Sequence, residues 1–257
     1  MNFPARNRFR FTVHYDGSAF HGWQVQPDQR TVQGDLESAL SRLADYPCSI
    51  IGSGRTDTGV HATGQVACVD MPISWTAAAL RKSMNAVLPP DVWIESTAEA
   101  AADFHPRYDA QKRTYRYEVG LSPEAPSPFH RRWCWPVSDP IDRERMDSAA
   151  DIVVGEHSFE RFAKAGQPER GYRCDVADAT WADTDLGVRL MISADRYLHH
   201  MVRYLVGTMV DVARGRRPLD DMTRLLACDP DLVTSPPAPA AGLFLHRVEY
   251  PRSAFQE

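Results

Sequence analysis

Gly52-Ser53-Gly54-Arg55-Thr56-Asp57-Thr58-Gly59-Val60-His61 is the stretch on which the reading of this chain turns. An apolar run at 48–51 leads into it, and an alternating run at 65–70, Gln-Val-Ala-Cys-Val-Asp, leads out. Both runs predict strands. Gly52, Gly54 and Gly59 are expected to supply backbone angles closed to other residues. A plain turn accounts for Asp57 as a turn former and Arg55 as a surface charge. It does not account for an arginine and an aspartate two apart, fenced by glycines on both sides. Loops carrying ionisable groups between rigid strands are where catalytic groups tend to sit.

Upstream, residues 8–15 (RFRFTVHY) alternate and predict a strand, followed by a turn at Asp16-Gly17-Ser18. Residues 20–26 (FHGWQVQ) form a loop whose aromatics would plug a core edge. Thr31 is a fair N-cap, and Val32, Leu36, Ala39, Leu40 and Leu43 share one face of a helix that ends by Pro47. Downstream, residues 75–87 predict a second helix, stopped by Pro89-Pro90, and residues 92–97 a further strand. The first half thus reads strand, helix, strand, strand, helix, strand, which is a ferredoxin-like split unit.

Residues 105–117 (HPRYDAQKRTYRY) carry four basic residues and one acid, with three tyrosines among them. Alternation over 113–119 puts Arg113, Tyr115 and Tyr117 on one strand face. Taken alone, Tyr115 is a half-buried strand aromatic. A proline-rich connection at 121–130 leads to a helix at 141–154, then to strands at 171–181 and 187–194 joined by an acidic turn. Arg203 falls in an apolar helix with Met201, Val202, Leu205, Val206 and Met209. An unpaired charge there is costly, so Arg203 calls for a carboxylate partner. His199 and His200 tempt a metal reading, but consecutive helical residues point about 100° apart and do not share a face. A short helix at 218–227, a stiff linker at 236–241 and a strand at 242–251 complete the chain.

At 257 residues the chain has room for one large or two modest domains. Its 43% hydrophobic and 25% charged content is that of a globular protein, and no apolar run reaches the roughly eighteen residues of a membrane span. The N-terminal segment lacks the apolar core of a signal peptide. Five scattered cysteines, none in a metal-type pair, read as reduced thiols of a cytoplasmic protein. The net charge of −5 counts mildly against a nucleic-acid partner. The distribution counts the other way. Basic residues gather at 105–117, at Arg131-Arg132, at Arg161, Lys164, Arg170 and Arg173, and at Arg214, Arg216 and Arg217. Local potential, not the sum, steers a polyanion.

GSGRTDTGVHATGQVA, residues 52–67, closely resembles the catalytic signature of the tRNA pseudouridine synthase A family. Further blocks agree over nearly the whole chain: YDG and F-GWQ at 15–24, NAVLPPD at 85–91 and FHPRYDAQKRTYRY at 104–117. GEHSFERF at 155–162, LHHMVRYLVG at 198–207 and GLFLHRVEY at 242–250 complete the set. The resemblance implies an α+β pseudouridine synthase fold. Its two ferredoxin-like halves, 1–102 and 103–257, would form a central, mostly antiparallel sheet flanked by helices, with the active-site cleft between the halves. It implies Asp57 as catalytic nucleophile, Arg203 as the ionic partner of Asp57, and Tyr115 as the active-site tyrosine. It implies substrate contacts from Arg55, Gln24, His61, Arg107, Arg113, Phe159 and His199, and from Leu245, whose block lines the uracil pocket. No cofactor and no metal are implied. The implied substrate is tRNA, modified at uridines 38, 39 and 40 of the anticodon stem-loop by a homodimer. A tRNA-binding or folding protein of the same fold, acting without catalysis, is the alternative. Retention of Asp57, Tyr115 and Arg203 together argues against it. A hydrolase would need a second acid, and none stands in a comparable block. Thr58, Tyr204 and Gly166 depart from the family's usual alanine, asparagine, and serine or cysteine.

Overall fold

The computed structural model describes residues 5–164, 166 and 171–251. They fall into two units, 1–111 with 245–257, and 112–244. In the first unit, β1 (Arg6–Tyr15) buries Phe9, Phe11, Val13 and Tyr15, the alternate residues of one face. Helix α1 (Val32–Ala44) begins where the Thr31 hydroxyl accepts the Gly34 amide at 3.3 Å. It stops at Asp45, whose φ of 59° takes the chain out of helical geometry. Strand β2 (Ile51–Gly52) and β3 (His61–Pro72) flank the polar loop. Helix α2 (Ala77–Val87), capped by Thr76, packs on β4 (Val92–Ala100). Asn85 fastens that contact by bonding both the amide and the carbonyl of Ile94, at 2.7 and 2.9 Å. The antiparallel order is β4-β1-β3-β2. The predicted apolar stripe of α1 holds at Val32, Leu36, Ala39 and Leu40, whereas Leu43 is only half-buried.

The strand predicted at 48–51 starts only at Ile51, which pairs with Cys68. Side chains of α1 take the amides before it. Ser41 Oγ accepts from Cys48 at 2.8 Å and Glu37 Oε1 accepts from Ile50 at 2.9 Å. With those donors satisfied, the run is tied to the helix instead of entering a ladder. In compensation β3 extends at both ends beyond 65–70 and takes in His61.

The second unit opens with β5 (Lys112–Gly120), which β6 (Trp135–Pro136) joins in parallel. Helix α3 (Arg143–Asp151) and β7 (Gly155–Ser158) precede the hairpin of β8 (Arg173–Thr184) and β9 (Gly187–Ala194). Helices α4 (Met201–Ala213) and α5 (Asp220–Leu226) follow, and α3 packs on both α4 and β8. The sheet order is β5-β9-β8-β7. Counting β5, α3, β8, β9 and α4, the arrangement of the first unit recurs. In each unit the first strand lies beside the third, and the third beside the second. The last strand, β10 (Leu243–Glu249), passes from the second unit to the first at Leu245 and lies next to β3. Its close approach requires Gly64, where a Cβ would stand 2.0 Å from the His246 carbonyl oxygen. With five α-helices among the described residues and mostly antiparallel strands, the architecture is the expected α+β fold.

One expectation changes here. His199 and His200 lie before α4, not within it, and His200 has a left-handed φ of 64°. Helical spacing therefore does not govern them, and their rings meet edge-on with centroids 4.3 Å apart. The stiff linker at 236–241 is strapped to α4. Arg203 Nε donates to the Ala238 carbonyl at 2.7 Å and the Ala238 amide donates to the Arg203 carbonyl at 2.9 Å. The Tyr117 hydroxyl donates to Pro239 at 2.7 Å. Gly207 admits the strap, since a Cβ there would sit 2.2 Å from the Pro236 oxygen.

Candidate active site

The loop between β2 and β3 is fixed from two sides. From beneath, the fully buried Gln65 accepts from the Ser53 hydroxyl at 2.7 Å and donates to the Gly54 carbonyl at 2.9 Å. From the flank, residues 15–23 clamp it. The Tyr15 and Thr56 hydroxyls share a hydrogen bond of 2.8 Å, the Trp23 amide donates to Thr56 at 3.0 Å, and the Gly59 amide donates to Phe20 at 3.3 Å. The Val60 amide closes the turn onto the Asp57 carbonyl at 3.1 Å. Arg30 holds the far end of the clamp by bridging Asp35 and Asp91 while lying over the Phe20 ring at 4.2 Å. The result is an alternation in the loop itself: Thr56 is buried, whereas Arg55 is exposed and Asp57 half-exposed. The carboxylate is presented from a backbone with little freedom to move.

The glycines do different work from that expected. Only Gly59, with a φ of 77°, has a backbone angle closed to other residues; Gly52 and Gly54 do not. Gly52 is small because the Trp23 indole lies against it, 2.6 Å from where a Cβ would be. Gly17 and Gly22 belong to the same fit, with Cβ positions 2.0 Å from the Val60 oxygen and 2.7 Å from the Thr56 oxygen. Gly17→Ala is therefore expected to cost about 1–3 kcal/mol by overpacking. Thermal melts of the variant beside the parent check it.

The predicted site residues divide by burial. In the first unit Gln24, Arg55 and Arg107 are exposed. His61 is only 1% exposed, and its Nδ1 accepts the Gly17 amide at 3.0 Å, so it supports the clamp from inside. Leu245 is fully buried in β10. In the second unit Phe159 is also fully buried, against Phe162, which makes it core rather than contact surface. His199 is exposed, and Arg113 donates to the Asp195 carbonyl at 3.0 Å. Tyr115 is 8% exposed and meets Tyr197 edge-on at 4.9 Å. Burial pushes the Tyr197 phenol well above its ordinary pKa, so it stays protonated and donates to Ile192 and Arg113 carbonyls. Tyr197 thus sets the tilt of the Tyr115 ring, a role with no local sequence signal. Gln65 also escaped sequence reading, because a polar residue inside a strand pattern looks solvent-facing.

The basic clusters are less uniform than their sequence suggests. Arg214 and Arg216 both pair with Asp139, and Arg217 pairs with Asp221 at 2.9 Å. Arg173 pairs with Glu156 at 2.6 Å, and Arg170 lies outside the described residues. Arg55, Arg107, Arg131 and Arg132 remain exposed.

The loop thus presents one carboxylate, that of Asp57, from a clamped backbone. Similarity to known proteins identifies the family. The family model described as tRNA pseudouridine synthase matches residues 11–109 and 149–251. The chain is 38% identical over 249 residues to "tRNA pseudouridine synthase A" of Limosilactobacillus fermentum, covering 95% of this chain and 96% of that one. It is 38% identical over 247 residues to the protein of that name from Myxococcus xanthus, covering 95% and 92%. For Paramagnetospirillum magneticum the figures are 39% over 253 residues, with 96% of each chain. This chain belongs to the tRNA pseudouridine synthase family.

Proposed function

We propose that this protein isomerises uridine to pseudouridine in tRNA, at positions 38, 39 and 40 of the anticodon stem-loop, with Asp57 as nucleophile. The observation that carries this is the fixed, half-exposed carboxylate of Asp57 within a family match spanning most of the chain. The reaction breaks the bond from uracil N1 to the ribose C1′, turns the base, and joins C5 to C1′. The proton leaving C5 is balanced by the one gained at N1, so no redox partner or external group enters. The carboxylate attacks either the anomeric carbon or the base ring, and both routes need it ionised. Arg203 is proposed to keep it so, since a cation within about 4–6 Å favours the charged form. Tyr115 is proposed to stack on the flipped base, whose extrusion costs a few kcal/mol. A homodimer in which one tRNA touches both subunits, working in the cytoplasm, completes the proposal. No helix among the described residues is long and apolar enough to cross a membrane. Mapping pseudouridines in tRNA from cells lacking the protein tests the assignment: loss at 38–40 alone is expected, and an unchanged map overturns it.

Affinity for tRNA is expected to fall with salt despite the net charge of −5. Three or four phosphate contacts from the exposed arginines imply a loss of roughly tenfold or more between 50 and 200 mM salt. Because Arg214, Arg216 and Arg217 are already paired, alanine at those positions should leave the slope unchanged. A titration of binding against salt checks both statements. Chelator treatment is expected to leave the rate unchanged on refolded tRNA. A loss restored specifically by zinc would instead mean that His199 and His200, or His157, hold a metal.

A further inference from the structure

Residues 104–109 form a turn that holds an aromatic ring out in water. The His105 amide donates to Asp109 Oδ2 at 2.8 Å, and the Asp109 amide donates back to the His105 carbonyl at 3.0 Å. The amides of Arg107 and Tyr108 both donate to His105 Nδ1, each at 3.2 Å. The turn is anchored below. Phe104 is buried edge-on against Tyr250 at 5.2 Å, and the Tyr250 hydroxyl donates to the Pro106 carbonyl at 2.8 Å. On this base Tyr108 stands 69% exposed, backed by the His105 ring at 4.2 Å and a tilt of 34°. The Arg107 guanidinium lies 5.8 Å from the Tyr108 ring centre.

A single exposed ring is ordinary on a protein surface; what marks this one is that a fully bonded turn and the His105 ring behind it fix where it points. The chemistry at its face is π-surface with a cation alongside. The acid within the turn is already engaged, Asp109 accepting from the His105 amide. Such a face suits a flat group attached to a polyanion. An unstacked nucleobase is that group, because every base has a π-face and a held aromatic replaces the neighbour it lost. Extruding a target uridine creates bases with one face uncovered. We infer that Tyr108, supported by His105, is a stacking platform for an unpaired base of the tRNA, with Arg107 on the adjoining phosphate. This rests on the proposed synthase function and adds a positioning residue to it.

The test uses the full-length protein and an unmodified tRNA transcript. Conversion of uridine by the wild type establishes the function on which the inference rests; its absence would overturn that function and, with it, the platform. Given conversion, Y108A is expected to raise KM and weaken binding about tenfold, in the range of one lost base stack. Its kcat should stay within about twofold, and its melting temperature should be unchanged because the ring is exposed. Y108F should match the wild type within about twofold, since stacking needs the ring and not the hydroxyl. The salt slope of Y108A should equal that of the wild type, whereas R107A should lower it by about one. Wild-type affinity in Y108A, or a defect in Y108F equal to that of Y108A, overturns the platform. So does a Y108A defect that appears as a changed sedimentation coefficient of the free protein, which would assign the ring to a contact between copies.

Discussion

Asp57→Ala is expected to lower pseudouridine formation by roughly a thousandfold or more, the scale of removing a nucleophile. Asp57→Asn should fare little better, because the amide keeps the shape and loses the charge. Neither change should unfold the protein. The loop is held through Gln65, the Thr56 hydroxyl and backbone groups, which both changes leave in place. Binding of tRNA should likewise survive, since its electrostatic part comes from arginines. The measurement is single-turnover conversion with enzyme in excess, beside a binding titration of the same variants. Residual turnover above a few percent of wild type would mean that another group attacks the substrate. A binding defect as large as the activity defect would mean that the loop, not the carboxylate, had been lost.

Arg203→Ala is the second large effect, and it is expected to damage both activity and stability. The side chain is half-buried on α4, and its Nε anchors the strap through Ala238. Losing the guanidinium removes the Nε bond to Ala238 and leaves the strap on its main-chain and Tyr117 bonds, and Asp57 loses its proposed counter-ion. Breaking a fully buried ion pair costs about 3–5 kcal/mol. Partial exposure of both residues puts this case at or below the lower end of that range. Asp57→Ala should then cost less in the Arg203→Ala background than alone, because its partner is already gone. Arg203→Lys should restore part of the activity: it keeps the charge but cannot anchor Ala238 through Nε while it also reaches a carboxylate. Denaturant unfolding and single-turnover rates of the four proteins of the cycle measure the coupling. Zero coupling would remove Arg203 as the partner of Asp57, whatever the single variants do.

Periodicity alone determined β1, α1 and α2, because their buried residues recur at spacings of two or of three and four, and local backbone geometry enforces that. The Gly52-to-His61 stretch also marked itself in its own composition as more than a plain turn, since a charged pair lies between glycines. Tertiary structure decided the rest. The apolar run at 48–50 looked like a strand, and only the folded position of Glu37 and Ser41 on α1 takes its amides away. Gly52 looked like a conformational glycine and is a steric one, because Trp23, far along the chain, lies on it. His61 and Phe159 sit in motifs that look like contact surface, yet both are buried. The cationic cluster at 214–217 is quieted by Asp139 and Asp221, neither of which lies within it. The recurrence of the first unit's strand order in the second is seen in the sheet, and no short internal repeat in the sequence announces it. In each case the missing information is a contact between residues distant in sequence. Composition states which groups a segment offers, and only the folded chain states which of them are already taken.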